Sequence, residues 1–446
     1  MSEAQQPASP APAVANLATD VDADATVNAA SSASSVASVI ASLSRANLAA
    51  QFSEQMTLAV IPIIAVIALN ASAEQTASLQ AATTLPFLLL SLPAGVLADR
   101  YRRKPLMIAT ELLRAMALLM LFALLQANWL TLTALGAMGF AMATGTVVFG
   151  AAAPSLVATL VGPSHLLAAN RRLETARSIA FTAGPAIGGV LAGVASGRVA
   201  FAAAFALSLG SAFWLSRLPM EAPRAASRRH FVHELGEGIR FIVRNIHLRS
   251  IVTTAFVFNT SWYLLLSVFA FYAIDTLAFS ARGVGAALGV YGFGMVCGAV
   301  GYARIAQRLR FGRQILLGPA CAALAAVLMA STTAFARTST ASFALYAVVF
   351  AAFFLFGFGP IVWTISTTSL RQIVTPGELI ARVSAVTMTA TFGARPLGAF
   401  VGAWIAAAFG VKACLFAMTA GFALQLAIIA RSRSTTLTSL DMAHGR

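Results

Sequence analysis

Gly95-Val96-Leu97-Ala98-Asp99-Arg100-Tyr101-Arg102-Arg103-Lys104 closes one long apolar run, residues 76–98, and precedes another, residues 105–127. A helix crossing a hydrocarbon core of about 30 Å needs roughly 20 apolar residues, so each run is long enough to span. The cluster Arg100, Arg102, Arg103 and Lys104 cannot rest in lipid and must mark a loop at the surface. The pattern around this stretch is therefore span, short basic loop, span.

Working outward, the same unit recurs. Apolar runs cover 47–70, 76–98, 105–127, 129–153, 167–194 and 198–217, and then 250–274, 283–306, 314–334, 340–369, 380–407 and 411–431. The 446 residues are 59% hydrophobic and 10% charged, with mean hydropathy +0.82. A soluble domain carries about 25% charged residues, so most of this surface faces lipid. Lipid leaves no water for backbone groups, which restricts spanning structure to helices or closed barrels. Long Ala-, Leu- and Gly-rich runs without period-two alternation select helices. The fold class is an all-α membrane protein with twelve transmembrane helices in two six-helix bundles.

Basic residues alternate along the gaps. Those after the second and eighth spans hold Arg100–Lys104 and Arg308, Arg310 and Arg313, and the central loop holds Arg224, Arg228, Arg229, Arg240, Arg244 and Arg249. The intervening gaps hold single residues, Arg198, Arg282, Arg337 and Lys412. Positive loops stay cytoplasmic, which puts both termini inside; the expected location is a bacterial-type inner (plasma) membrane. Five units follow: a disordered cytoplasmic tail (1–45), an N-terminal bundle (46–217), a cytoplasmic loop with an amphipathic helix (218–249), a C-terminal bundle (250–431) and a cytoplasmic tail (432–446). The central loop's Phe231, Leu235, Ile239 and Ile242 form an apolar face suited to the lipid surface. Val161, Pro163, Leu166 and Ala168 are echoed by Val374, Pro376, Leu379 and Ala381, as duplication of a six-span unit would leave them.

Gly95–Lys104 resembles the G-x-L-A-D-R-x-G-R-[RK] signature of the major facilitator superfamily, with Arg102 in place of the usual glycine. The resemblance implies a gating role for Gly95, Asp99, Arg100, Arg103 and Lys104. Asp99 would face the start of the eleventh span, with Arg100 and Arg103 as its charge partners. Gly184-Pro185-Ala186-Ile187-Gly188-Gly189 resembles the antiporter motif of the same superfamily, which implies helix bending at Gly184, Pro185, Gly188 and Gly189 and transport outward. Together with Glu111–Arg114, the loop run Pro154–Val157, and Gly393–Gly398, the chain is similar to the branch of the enterobactin exporter and drug-efflux proteins. The fourth span lacks the arginine that some drug antiporters of the superfamily keep there.

Ionisable residues inside spans are functional candidates by default. Glu54 lies about two turns into the first span with no basic residue within a helical turn, so it is the candidate for proton coupling. Glu111/Arg114 and Glu174/Arg177 have the i,i+3 spacing of structural pairs. Arg395 lies about 22 Å along the eleventh span, too deep to snorkel, and calls for an acid or an anionic substrate. Candidate substrate contacts are Gln51, Gln55, Asn259, Trp262, Tyr263 and Arg395, with the aromatic residues Phe350–Trp363 of the tenth span as a further apolar surface.

Other function classes find no support in the residues. The net charge of +15 sits in short gaps between spans, so no nucleic-acid partner is expected. The three cysteines and five histidines show no metal or catalytic spacing, and there is no phosphate-cradling G-x-x-x-x-G-K-[ST] loop. The reading is a monomeric, cofactor-free, metal-free transporter that is not an enzyme, with a small molecule, protons and membrane lipid as partners. It exports an amphipathic drug or siderophore-like metabolite by proton antiport through alternating access; proton-coupled uptake is the alternative.

Overall fold

The computed structural model describes residues 13–162, 165–194, 197–221, 231–334 and 343–438. Among them the chain is helical almost throughout. The first half holds α1 (Ala13–Leu69), α2 (Ala73–Leu89), α3 (Ser91–Arg100), α4 (Arg103–Gln126), α5 (Leu132–Val161), α6 (Leu166–Val194) and α7 (Arg198–Ser216). A short helix, α8 (Phe231–Arg244), leads to α9 (Ile246–Phe271), α10 (Ala281–Arg308), α11 (Phe311–Ser331), α12 (Phe343–Val374) and α13 (Ile380–Ala430).

Ten helical segments are individually long and apolar enough to cross a membrane. The second pass is divided at Leu90 into α2 and α3, one turn after Pro86. The last segment contains two passes, because Gly410 at φ 77° breaks the helix. Cys414 Sγ donates to the Gly402 carbonyl at 3.5 Å. Twelve residues of straight helix would hold those positions about 18 Å apart, so the chain reverses at Gly410. Counting both arms of α13 and the divided second pass gives twelve crossings among the described residues.

Boundaries follow local chemistry. Ser72 caps α2 in a box with Gln75, Thr131 caps α5, Asn245 accepts from His247 N and Leu248 N at the start of α9, and Ser280 caps α10. Asn70, at φ 51°, turns the chain after α1.

Some expected boundaries move. The reading of residues 1–45 as an unstructured tail does not hold from Ala13 onward, where α1 is already helical. Ile40, Leu43 and Ala46 are buried with Leu156, Val157 and Leu215. Their i, i+3 and i+6 spacing gives that turn of α1 an apolar stripe against α5 and α7, and the Ala-rich stretch before it has high helix propensity. The Pro154–Val157 run is not a loop but lies inside α5, where Leu156 is fully buried. The second bundle begins at Ile246, not 250, capped by Asn245. The amphipathic helix expected in the central loop corresponds to α8; Arg224, Arg228 and Arg229 lie outside the described residues. The C-terminal tail is packed as far as it is described: Gly312 N donates to Leu437 O at 2.8 Å, and Leu437 is buried against α11.

The backbones of the two bundles approach closely along α6 and α10. Gly285, Gly289 and Gly292 lie on one stripe of α10, and a Cβ on any of them would come within 2.4–2.8 Å of the Pro185, Thr182 or Phe181 carbonyl oxygens. Small residues permit such backbone approach in lipid, where no hydrophobic force drives helices together. Pro185 has no N–H to bond the carbonyl four residues earlier, that of Phe181. That freed oxygen is the one facing Gly292. On the opposite side of α6, Gly184 and Gly188 receive Gln55 and Met56 of α1. All these contacts lie in the half of the molecule away from the chain ends.

Candidate functional site

A cavity of about 270 Å³ lies between the bundles at mid-height. The first bundle contributes Glu54, Gln55 and Pro62 of α1, Gln80, Thr83, Thr84 and Phe87 of α2, Arg114 of α4, Thr146 of α5, and Phe181 and Pro185 of α6. The second contributes Phe258, Asn259, Trp262 and Tyr263 of α9, Tyr291 of α10 and Arg395 of α13. Five of the six proposed substrate contacts therefore meet around one space. Gln51 is the exception: it does not line this cavity.

Charge on the first side is held in a three-residue cluster. Arg114 Nη1 donates to Glu111 Oε1 at 2.7 Å, and Arg114 Nη2 stands 3.8 Å from Glu54 Oε2. Arg114 Nη2 also donates to Thr146 Oγ1 at 2.8 Å. The expectation of an unpartnered Glu54 is thus corrected: its partner comes from another helix, where spacing along the first span cannot show it. The two acids differ in access. The Glu111 side chain is fully buried, while that of Glu54 is 19% exposed and lines the cavity. Glu111 and Arg114 form the expected i,i+3 ion pair, but they belong to the site rather than to structure alone. Glu174 and Arg177 pair at 3.4 Å with both side chains well exposed.

The second side has a different chemistry. Arg395 places its guanidinium 4.3 Å from the ring centre of Phe392, 4.8 Å from Phe87 and 5.3 Å from Tyr263. Among the described residues no carboxylate pairs with it, and its buried Nε has no hydrogen-bond partner. The acid expected beside it is replaced by aromatic faces, whose quadrupoles attract a cation without neutralising it. Trp262 stacks on Tyr291 at 4.8 Å and packs on Phe353 and Phe356, forming a rigid wall. Asn259 Nδ2 donates to Ala255 O at 2.9 Å, which leaves its Oδ1 as the acceptor on offer. Most of the tenth-span aromatics turn away from the central cavity: Phe353 and Phe356 are core, Phe354 stacks on Phe358 beside α10, and Trp363 lines a second cavity.

The proposed gating residues also separate. Arg103 N donates to Glu221 Oε1, and Arg103 Nη1 reaches Thr159 Oγ1 at 3.4 Å. Lys104 Nζ donates to Ser216 O at 2.9 Å and also to Leu218 O. These two residues fasten α4 to the end of α7, where a lysine satisfies carbonyls left open by the helix terminus. The described contacts of Arg103 are its backbone N–H to Glu221 and its guanidinium to Thr159. Arg100 is exposed, and a Cβ at Gly95 would meet only open space. The side chain of Asp99 lies outside the described residues.

Gln80, Thr83, Arg114 and Tyr291 also line this cavity, beyond the contacts expected from the sequence. An amide such as Gln80 in an apolar span was the available signal. Nothing in the spacing marked Tyr291.

The sequence pattern of the transmembrane secretion effector family, within the major facilitator superfamily, matches residues 28–445. The chain belongs to this family. No curated protein sequence matches it. Its structure is similar to that of a bacterial homologue of the iron transporter ferroportin in an inward-facing state, with TM-score 0.67, 16% identity and coverage of 88% of this chain and 98% of that one. It is also similar to a POT family transporter in complex with 5-aminolevulinic acid (TM-score 0.71, 12% identity, 89% and 96% coverage). The nucleoside transporter NupG aligns with TM-score 0.67 at 11% identity, over 92% of this chain and 99% of that one. At these identities the likeness establishes the shared fold. The chain is a multi-pass membrane protein of a transporter family, which fits a protein that is not an enzyme.

Proposed function

We propose that this major facilitator protein is a proton-coupled exporter of a small amphipathic molecule, drug-like or siderophore-like. The observation that carries the reading is the Glu54–Arg114–Glu111 cluster at the wall of the cavity. Two carboxylates around one guanidinium leave a net charge of −1, and one proton on the accessible acid brings it to zero. Glu54 is that acid, being farther from Arg114 than Glu111 is and open to the cavity. A charge buried without compensation costs several kcal/mol, about 3–5 when a pair is broken, so protonation biases which conformations the bundles can adopt.

Cargo binds opposite, between Gln55, Asn259, Trp262, Tyr263 and Arg395, on a surface that combines stacking area with a few polar anchors. The Gly184–Gly189 motif and the family's description as secretion effectors support export over uptake. The basic loops support a plasma-membrane location with both ends cytoplasmic. Asp99, Arg100 and Gly95 retain a proposed gating role, and the branch of the enterobactin exporter remains the proposed source of cargo chemistry.

The test uses cells with and without the protein, exposed to a panel of amphipathic dyes and drugs and assayed for catecholate siderophore in the medium. Cells carrying the protein retain less of at least one compound, or release more siderophore, and a protonophore abolishes the difference. E54Q removes the protonophore-sensitive part while inserting normally. Faster accumulation of a compound in cells carrying the protein would establish uptake instead. Wild-type export by E54Q at every pH would remove Glu54 from coupling.

A further inference from the structure

The second bundle encloses another cavity, of about 260 Å³, on the side toward the chain ends. It is bounded by α9, α11, α12 and both arms of α13, and touches the central cavity through a shared wall of Phe258 and Asn259. Its polar groups are poorly satisfied. Arg371 Nε, Trp363 Nε1 and Gln425 Oε1 line or border it, are buried, and have no hydrogen-bond partner among the described residues. Gln425 is 2% exposed. No Asp or Glu lines this space, so the Arg371 guanidinium has no counter-charge in it.

Buried polar groups in a membrane bundle are almost always satisfied, and each orphan costs about 1–3 kcal/mol, more when charged. Thr364, Thr367 and Thr387 each donate their hydroxyl back to a carbonyl of their own helix. Each hydroxyl is committed as a donor and keeps its acceptor capacity, so the threonines can serve only as acceptors. The cavity thus presents a cation and an indole N–H on one hand, and hydroxyl and amide acceptors on the other. Exposed Met388 and Thr364 stand at its rim, which gives a solute a way in.

We infer that this second cavity is a binding site for a small carboxylate-bearing solute, held by Arg371 and Trp363, with its own hydroxyl or amide donor received by Gln425 and the threonines. A carboxylate matches the planar guanidinium, and the indole N–H earlier on the same helix is a second donor on the same cavity. The assignment goes beyond the proposed export function and does not depend on its direction or coupling. Phe258 and Asn259 line both cavities.

The experiment is equilibrium dialysis of radiolabelled benzoate against purified protein in detergent, in an R395Q background that removes the cation of the central cavity that has no carboxylate partner among the described residues. The expected result is one saturable benzoate site, displaced by lactate and displaced at least tenfold less well by benzamide, chloride and inorganic phosphate. Adding R371Q abolishes it, and adding R371K weakens it by about tenfold. If R371Q fails to purify as a monodisperse protein, W363F takes its place, with a several-fold loss. Absence of any saturable site in the R395Q protein overturns the assignment, as does benzoate binding that survives both Arg371 and Trp363 substitutions. Equal displacement by phosphate overturns the carboxylate class.

Discussion

The two bundles handle charge inside the membrane in opposite ways. In the first, Arg114 is enclosed by Glu111 at 2.7 Å and Glu54 at 3.8 Å. In the second, Arg395 lies among three aromatic rings and Arg371 beside a threonine-lined cavity, neither with a carboxylate partner among the described residues. A paired cluster can be switched by one proton. An unpaired cation waits for an anion that comes and goes. The difference suggests a division of work, with the proton handled by the first bundle and the acidic or electron-rich part of a solute by the second.

That contrast has a direct stability consequence. R114Q strands Glu111, which is fully buried, beside Glu54, and should cost about 3–5 kcal/mol, read as lower yield and an earlier unfolding midpoint in detergent. Adding E54Q and E111Q should recover most of that loss, because no uncompensated charge then remains. R395Q removes only cation–ring contacts and should cost about 0.5–2 kcal/mol. Equal losses for R114Q and R395Q would erase the distinction between the bundles.

The seam between them is the next target. G285L places side-chain atoms where a Cβ alone would stand 2.5 Å from Pro185 O. Transport should fall at least tenfold, with a stability loss of about 1–3 kcal/mol from overpacking. A leucine at Gly95, where a Cβ meets open space, should leave stability within about 0.5 kcal/mol of wild type. D99N should slow turnover several-fold with substrate affinity little changed; unchanged transport would reduce that loop to a role in topology. N259A removes one acceptor from the central cavity and should raise KM several-fold, about 1 kcal/mol.

Much of this could be read along the chain. The expected span at 105–127 is α4 at Arg103–Gln126, and that at 198–217 is α7 at Arg198–Ser216. Apolar length and basic gaps report the lipid boundary directly, so such segments are legible residue by residue. The first boundary was less so, because Ala- and Ser-rich helix looks like a flexible tail until Ile40 and Leu43 are seen packed. Gln55, Asn259, Trp262, Tyr263 and Arg395 were legible as polar or aromatic residues in costly places, and they converge on one cavity. Gln51 shares their chemistry but not their direction.

The helix count and the two-bundle plan follow from one-dimensional facts: how long a run is and where charge interrupts it. Partnership is different in kind. That Glu54 meets Arg114, that Arg103 and Lys104 turn to the end of α7, and that Arg371 borders a cavity without an acid are facts about distances between segments far apart in sequence. Electrostatic and hydrogen-bond energies depend on separations of a few ångströms, and only the packing of helices against one another sets those separations.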